Sequence, residues 1–375
     1  MKTKAAVLTE MGRPTPYADS RPLEILELDL EGPGEDEVLV EVKAAGLCHS
    51  DLSVMNGARP RPTPMALGHE AAGVVREVGR SVADLAVGDH VVMIFVPACG
   101  HCIPCAEGRP ALCEPAAAAN GAGTLLSGAR RLSYAGQPVN HHMGVAAFST
   151  LTVVSRRSLV KVDPDLPLEQ AALFGCAVMT GVGAVVNTAQ VAAGSKVAVI
   201  GLGGVGLNSL LAALLVGAEQ VVALDLLPAK LELARQLGAT DAVQASAEDA
   251  AEQVKELTGG GVDFAFEMAG SVPALDLAYR ITRRGGTTVT GGLAHPSKNL
   301  SIQQVSLVAE ERTLKGSYIG SCVPSRDIPR YIGLFRRGRL PVDRLMSERI
   351  DFEGLNLAFD RLERGETVRQ VLIPS

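Results

Sequence analysis

Residues 196–206 read KVAVIGLGGVG and are the most informative segment of the sequence about its fold. A valine-rich run typical of a buried strand ends in a glycine-rich turn, and the apolar segment from Leu207 to Gly217 that follows is typical of a helix. Gly201, Gly203 and Gly206 fit the spacing G-x-G-x-x-G. In this spacing the first glycine permits a tight turn, the second lets a pyrophosphate approach the backbone, and the third allows the helix to pack closely. The stretch therefore predicts a dinucleotide-binding fold.

The next strand supplies the acidic residue that such a fold uses. It ends at Asp225, nineteen residues beyond Gly206. We expect the Asp225 carboxylate to accept hydrogen bonds from the adenosine ribose hydroxyls and to repel a 2′-phosphate. Since the following residues, LLPA, offer no arginine to offset that repulsion, NAD is favoured over NADP. Gly204, which belongs to the same loop, is included among the predicted cofactor-binding residues.

The remaining sequence indicates a second domain of a different kind. Strand-like and helix-like segments alternate from about residue 195, as in a doubly wound parallel sheet. Residues 36–45 and 87–94 instead carry valine-rich, partly alternating patterns typical of short strands in a β-rich domain. The Ala-rich and then Gly/Ser/Arg-rich stretch from 116 to 131 is expected to be a long surface loop. We predict an α/β protein with three segments: a β-rich catalytic domain over 1–179, a Rossmann domain over 180–320, and a return to the first domain over 321–375.

Charge and hydropathy exclude two classes of partner. A formal net charge of −6, with no long run of Lys or Arg, gives no basic face for nucleic acid. Residues 197–218 contain no charge and are long enough to cross a bilayer, but glycines interrupt the run early, so we expect no membrane span. The first residues hold only a four-residue apolar stretch, too short for a signal-peptide core, and we expect a cytoplasmic protein.

Four of the seven cysteines fall in CGHCIPCAEGRPALC, residues 99–113. They are separated by two, two and seven intervening residues, at Cys99, Cys102, Cys105 and Cys113. Four thiolates complete a tetrahedral shell around zinc and leave no position for substrate, so this spacing predicts a structural zinc lobe over about 95–115. Disulfides are the alternative, and the expected reducing compartment disfavours them.

The other cysteines are not diagnostic by spacing. Cys48, His69 and Cys176 lie far apart, and each residue type is common in a protein core. Cys322 matches no motif and is expected to be a buried free thiol. The motifs around the first three are more specific: GLCHSDL (46–52), GHEAAGVVREVG (68–79), the four-cysteine lobe and VIGLGGVG (199–206) follow one another in that order. In this order the sequence resembles the zinc-containing medium-chain alcohol dehydrogenases over essentially its whole length.

The resemblance implies a GroES-like catalytic domain and a second, catalytic zinc. In that family two cysteines and one histidine hold the metal and leave one coordination position open, which assigns Cys48, His69 and Cys176 as ligands. Glu70 and Asp51 match the carboxylates that surround this metal. An open zinc is needed because the pKa of an unactivated alcohol is far above neutrality.

The resemblance also implies a proton relay and contacts with the cofactor and substrate. Ser50 matches the hydroxyl that takes up the substrate proton, whereas Ser53 stands where several members carry the histidine that ends the relay; we therefore expect the relay to end at the ribose hydroxyls and water. The further cofactor-binding residues are His49, Thr180, Val205, Lys230 and Arg369. The residues expected to line the substrate pocket are Ser50, Phe95, His142 and Met143, with Arg59 nearby.

Together these features predict a zinc-dependent, NAD-linked dehydrogenase that interconverts small alcohols with aldehydes or ketones, with two zinc ions per chain. The long segment from Glu114 to His142 resembles the longer branch of the family, which includes the liver and formaldehyde dehydrogenases, and implies a homodimer, with a tetramer as the alternative. A glutathione-linked formaldehyde dehydrogenase is the second hypothesis, although EPAAAA after Cys113 lacks the arginine that glutathione-using members carry there. A dinucleotide-binding protein that has lost catalysis is the third; it would keep only one tightly held zinc.

Overall fold

The computed structural model describes residues Met1–Pro374. The strands in this part of the chain are β1 (Lys2–Leu8), β2 (Leu23–Leu30), β3 (Glu37–Gly46), β4 (Met65–Ala66), β5 (Ala71–Val78), β6 (His90–Met93), β7 (Leu132–Tyr134), β8 (Gln137–His141), β9 (Leu151–Ser155), β10 (Leu159–Val162), β11 (Lys196–Ile200), β12 (Gln220–Asp225), β13 (Asp241–Gln244), β14 (Val262–Glu267), β15 (Thr282–Thr290), β16 (Thr313–Gly316), β17 (Met346–Ile350) and β18 (Arg369–Leu372).

The α-helices are α1 (Tyr17–Ser20), α2 (His49–Met55), α3 (Ile103–Ala106), α4 (Glu114–Ala122), α5 (Leu168–Ala172), α6 (Ala177–Gly183), α7 (Gly204–Leu215), α8 (Pro228–Leu237), α9 (Ala250–Thr258), α10 (Val272–Ile281), α11 (Gln304–Ala309), α12 (Pro324–Arg336) and α13 (Leu355–Glu363). The chain divides into two compact units. The first comprises residues 1–176, 323–332 and 342–375, and the second comprises residues 177–322 and 333–341.

The first unit is built from two mostly antiparallel sheets. One sheet closes into a barrel in the order β1-β2-β7-β8-β4, and the other has the order β10-β6-β5-β3-β18-β17, with β9 also paired to β3. The predicted strands at 36–45 and 87–94 are confirmed as β3 and β6. Apolar residues on alternate strand positions, such as Ala5, Val7, Leu28 and Leu30, fill the core of the barrel.

The second unit contains a six-stranded parallel sheet in the order β13-β12-β11-β14-β15-β16. Numbered along the sequence from β11, this order is 3-2-1-4-5-6, which is that of a dinucleotide-binding Rossmann sheet. The predicted doubly wound fold is confirmed. Strands β11, β12 and β14 are buried almost throughout because helices such as α9 and α10 pack on them, with Ala198, Val222 and Ala265 inside the core.

The prediction of a continuous surface loop over 116–131 is wrong for its first part. Residues Glu114–Ala122 form helix α4. Pro115 occupies its first turn, where a missing N–H costs nothing, and Gly123 ends it in the left-handed region at φ 68°. Alanine is a strong helix former, and a run of alanines between a proline and a glycine therefore forms a helix and not a loop.

Among the described residues, no single helix is both long enough and apolar enough to cross a bilayer. One bent pair, residues 168–175 and 177–189, meets the criterion by length and composition alone.

Candidate active site

Three buried donor groups of the first unit meet at one point. Cys48 precedes α2, His69 lies between β4 and β5, and Cys176 follows a short 3₁₀ turn at Leu173–Gly175. Their ligand atoms all lie within 4.8 Å of one another, and all three residues are buried. The Nε2 atom of His69 is buried and has no hydrogen-bond partner in the described part of the chain. Two sulfurs and an unpartnered imidazole nitrogen are a donor set that fits zinc with one position left open.

Asp51 orients the histidine of this group. Its Oδ1 atom lies 2.9 Å from Nδ1 of His69, and both side chains are fully buried. Its Oδ2 atom accepts a hydrogen bond of 3.1 Å from the backbone N–H of Cys48, which helps to cap the start of α2. A carboxylate on the outer ring nitrogen fixes the ring and makes the other nitrogen a better metal ligand.

Because these ionisable groups lie close together and are buried, each shifts the pKa values of the others. A hydrogen bond with Cys176 and the neighbouring His69 hold the pKa of Cys48 well below its ordinary value. Burial alone would lower the pKa of His69, but the charge and hydrogen bond of Asp51 raise it to about 10. Burial would raise the pKa of Asp51, and the two histidines that face it, His69 and His142, lower it instead. The cluster therefore favours thiolate and carboxylate, the charges that a divalent cation would neutralise.

Glu70 lies next to His69 and forms an ion pair with Arg369 of β18. Both side chains are almost fully buried, and the guanidinium also contacts the sulfur of Cys48. The structure thus places Arg369 beside Cys48, one of the predicted metal ligands, while its predicted contact with the cofactor pyrophosphate remains a prediction.

The four cysteines of the lobe also converge. Their sulfur atoms lie within 4.8 Å of one another. The backbone N–H groups of His101 and Cys102 point at the sulfur of Cys99, at 3.5 and 3.3 Å, and the N–H of Cys99 donates to Cys113 at 3.2 Å. Burial opposes ionisation of Cys99, yet these backbone donors lower its pKa to about 6. Four sulfurs with backbone N–H donors fit a closed, structural zinc site.

Ser50, the hydroxyl predicted to take up the substrate proton, lies on the first turn of α2, and Ser53 lies one turn further along. Ser50 is half-buried and His49 is exposed. The hydroxyl of Ser53 donates to the backbone carbonyl of His49 at 2.7 Å. Ser53 therefore uses its proton within the helix, and the expectation that the relay ends at the ribose hydroxyls and water remains a prediction.

Two of the predicted pocket residues, Phe95 and His142, lie directly beside His69. The rings of Phe95 and His142 both contact the ring of His69 edge to face, with centroids 5.2 and 5.5 Å away. Met143 follows His142 with φ of 49°, an uncommon backbone conformation for a residue with a side chain. Arg59 lies after α2 and is half-buried, with its backbone N–H bonded to the carbonyl of Ser53.

In the second unit the glycines of the motif have distinct roles. Gly201 has φ of 88°, and a Cβ atom there would lie 2.6 Å from the backbone of Ala269. A Cβ atom on Gly206 would lie 1.8 Å from the carbonyl oxygen of Gly201, so the helix start packs against the turn. A Cβ atom on Gly203 would meet nothing within 4 Å. The open space above Gly203 fits a ligand that approaches the backbone at the start of α7.

Asp225 ends β12 beside this turn. Its two carboxylate oxygens accept hydrogen bonds from the N–H groups of Leu202, at 2.6 Å, and Leu227, at 2.9 Å. Lys230 is buried in α8, and burial lowers its pKa against the opposing charge of Asp225. Gly204 and Val205 open α7, and Thr180 is buried in α6. Asp225 and Lys230 fit the adenosine end of a dinucleotide; their contacts, and those predicted for Thr180 and Val205 near the nicotinamide, remain predictions.

Two contacts of the site were not predicted. Nδ1 of His142 lies 3.1 Å from the same Asp51 oxygen that His69 contacts, and Arg369 pairs with Glu70. Both connect residues far apart in the sequence, and no local pattern signals either contact. The motif GLCHSDL indicated only that Asp51 lies near the metal ligands.

The comparisons with known proteins agree with this geometry. Residues 34–164 match the family model described as the alcohol dehydrogenase GroES-like domain, and residues 204–337 match that of the zinc-binding dehydrogenases. An S-(hydroxymethyl)glutathione dehydrogenase from Synechocystis sp. is 37% identical over 99% of this chain and 100% of its own length.

Solved structures extend the similarity to three dimensions. An alcohol dehydrogenase zinc-binding domain protein from Burkholderia ambifaria matches 100% of this chain and 99% of its own, with a TM-score of 0.93 and 36% identity. The benzyl alcohol dehydrogenase of Acinetobacter calcoaceticus matches 100% of both chains, with a TM-score of 0.93 and 33% identity. The full-length similarity, the two family models and the two cysteine-containing clusters lead to one conclusion: the chain belongs to the zinc-containing medium-chain alcohol dehydrogenase family.

Proposed function

We propose that this protein is a zinc-dependent, NAD-linked dehydrogenase that interconverts small alcohols with aldehydes or ketones. The observation that carries the proposal is the buried trio Cys48, His69 and Cys176, with the His69 Nε2 atom lacking a hydrogen-bond partner among the described residues. A bound zinc would supply a Lewis acid with an open coordination position, and bound NAD would supply the hydride acceptor.

The side chains around this trio have separable tasks. Asp51 holds the His69 ring with Nε2 directed away from the carboxylate. Ser50, on the first turn of α2, takes the proton of the substrate hydroxyl and passes it toward the cofactor ribose and water. Glu70 and Arg369 keep a buried ion pair beside the Cys48 sulfur and exclude water from that side.

The cofactor is proposed to be NAD and to bind the second unit. The support is the carboxylate at the end of β12, followed by Leu226, which is 63% exposed and uncharged. A 2′-phosphate would meet the negative charge of Asp225 and find no guanidinium at the next position.

We further propose two zinc ions per chain, one in each cysteine-containing cluster. All seven cysteines are free thiols in the structure, which suits a reducing compartment such as the cytoplasm. A homodimer is proposed to form through the second unit. Strand β16 lies at the edge of its sheet, and Val305 and Val308 of α11 are more than 60% exposed.

A screen for NADH absorbance tests the main proposal. Purified protein with measured zinc content is mixed with NAD or NADP and with primary, secondary and benzylic alcohols. We expect turnover with NAD, two zinc ions per chain, and loss of activity in the Cys176→Ala variant, which should retain one zinc ion. Absence of turnover on every alcohol by fully zinc-loaded protein would overturn the proposal.

S-(hydroxymethyl)glutathione is the second candidate substrate, because of the 37% identity to the Synechocystis dehydrogenase named for it. The residues after Cys113 oppose this candidate, since they form α4 with Glu114 and a run of alanines and offer no arginine for a glutathione carboxylate. Addition of glutathione to an assay with formaldehyde distinguishes the two substrates. We expect no more than weak stimulation.

A further inference from the structure

Two imidazole nitrogens and one backbone N–H lie around the Asp51 carboxylate. Nδ1 of His69 lies 2.9 Å and Nδ1 of His142 lies 3.1 Å from Oδ1, and the Cys48 N–H donates to Oδ2 at 3.1 Å. The three side chains of Asp51, His69 and His142 are fully buried. An ionised carboxylate oxygen has no proton to donate, so a ring nitrogen about 3 Å from it is favoured in its protonated form, and this applies to Nδ1 of both imidazoles.

This arrangement fixes the chemistry of the other ring nitrogen. A neutral imidazole with its proton on Nδ1 has a lone pair on Nε2 and is an acceptor there. In His69 the Nε2 position faces Cys48 and Cys176, where a bound zinc would take its lone pair. In His142 the Nε2 atom is also buried, and none of the described residues hydrogen-bonds to it. An acceptor left without a donor in a buried position is costly, which suggests that a bound molecule completes it.

The unsatisfied atom lies close to the metal ligands. Because both Nδ1 atoms face one oxygen of Asp51, both Nε2 atoms lie on the far sides of their rings. The rings of His69 and His142 are 5.5 Å apart and nearly perpendicular. Phe95 packs on His69 at 5.2 Å and contributes an apolar surface. Of the two rings that contact His69, that of Phe95 is apolar and that of His142 carries polar nitrogen atoms.

The backbone keeps His142 in this position. The N–H of His141 donates to the carbonyl of Gly123 at 2.9 Å, and Asn140 bonds the carbonyls of Pro62 and Pro64. Met143, directly after His142, has φ of 49°. These contacts hold the backbone that precedes His142 against residues 62–64, which lead into β4 and His69.

We propose that Nε2 of His142 accepts a hydrogen bond from a second donor group on the substrate, so that the enzyme prefers alcohols that carry an additional hydroxyl or N–H near the reacting carbon. This inference rests on the proposed function and adds the class of substrate. A plain alkyl or aryl alcohol leaves the acceptor unsatisfied.

Matched pairs of alcohols test the preference. We would compare kcat/KM for 2- and 3-hydroxybenzyl alcohol with that for their methyl ethers, and for 1,2- and 1,3-butanediol with that for 1-butanol. The methyl ethers keep the oxygen and lack the donor. For the better hydroxyl isomer we expect a preference of about tenfold or more, as for one buried hydrogen bond made or lost.

Two substitutions separate the Nε2 atom from the rest of the ring. His142→Asn retains an amide donor for Asp51 and removes Nε2, whereas His142→Phe removes both. Both variants should lower the preference to about one, with zinc content measured in each. His141→Gln is the matched control, because the neighbouring His141 already accepts a hydrogen bond from the Arg131 N–H at 3.0 Å. It should leave the preference unchanged.

Nitrogen NMR of histidine-labelled protein gives a readout independent of turnover. The resonance that disappears in His142→Asn should be that of an unprotonated Nε2 and should shift when 2-hydroxybenzyl alcohol is added. Equal kcat/KM within every pair, a preference retained in His142→Asn, or a protonated Nε2 would overturn the inference alone. Failure to oxidise any alcohol would instead overturn the proposed function.

Discussion

Oδ1 of Asp51 lies 2.9 Å from Nδ1 of His69. Asp51→Asn removes the negative charge while keeping the size of the side chain. We expect zinc to bind the trio about 10- to 100-fold more weakly, because the imidazole loses the partner that orients it and raises its basicity. Competition with a chromophoric chelator measures the affinity.

Asp360→Asn is the control for this substitution. Asp360 is also buried, but it accepts hydrogen bonds from the N–H groups of Tyr17 and Ala18 at the start of α1. Zinc affinity should be unchanged in this control even if stability falls. Equal zinc affinities for Asp51→Asn and the unmodified protein would remove the role assigned to Asp51.

The four-cysteine lobe is expected to stabilise the fold without taking part in the reaction. Cys105→Ser should release one zinc ion per chain and lower the thermal midpoint by at least about 5 °C, since a structural zinc contributes folding free energy. Cys322→Ser is the matched control, because its buried thiol belongs to neither cluster and donates to the carbonyl of Met179 at 3.2 Å. Two zinc ions in Cys105→Ser would contradict the prediction.

The glycine loop offers a pair of substitutions with opposite effects. Gly206→Ala should destabilise the second unit by about 2 kcal/mol or more, because its Cβ would lie 1.8 Å from the Gly201 carbonyl oxygen. Gly203→Ala should fold normally, since its Cβ meets no atom within 4 Å and its φ of −76° suits alanine. It should nevertheless weaken NAD binding, as measured by calorimetry. Normal NAD affinity in Gly203→Ala would show that the pyrophosphate does not lie over this residue.

Asp225 is expected to determine the choice between NAD and NADP. Asp225→Ser combined with Leu226→Arg removes the repelling charge and adds a guanidinium at a position that is 63% exposed. The ratio of kcat/KM for NADP to that for NAD should rise at least about 100-fold. Leu226→Arg alone retains the carboxylate and should produce only a small part of this change.

His141 should make the protein sensitive to mild acid. Burial lowers the pKa of His141 from 6.5 to about 4, so the folded state binds its proton less readily than the unfolded state. The stability present above pH 6.5 is therefore lost as the pH falls from 6.5 to about 4, by up to about 3 kcal/mol. The His141→Gln variant has no titrating group at this position. Urea unfolding followed by circular dichroism measures the free energy of unfolding at each pH, and the difference between the variant and the unmodified protein should change in favour of the variant as the pH falls over that range. The same pH dependence in both proteins would contradict the prediction.

How much of this site is visible in the sequence depends on how local each signal is. The turn at Gly201–Gly206 and the four cysteines from Cys99 to Cys113 are each contained in one short segment, and backbone sterics and metal geometry make such patterns specific. The trio Cys48, His69 and Cys176 could be predicted only through a family resemblance. Its members lie in three segments that are far apart in the sequence, and only the folded chain brings them together. The second imidazole on Asp51 was not predicted at all, since the contact depends on the backbone around Met143 and not on a motif.

The position of Arg369 has a consequence for the making of the enzyme. The strand that carries it pairs with β3, where Val371 is opposite Gly46, and so completes the surroundings of Cys48 from the far end of the chain. A ribosome releases residue 372 long after residues 48, 69 and 176. During synthesis, therefore, Cys48, His69 and Cys176 exist before the ion pair between Glu70 and Arg369 can form, so the surroundings of Cys48 are completed only after Arg369 has been made.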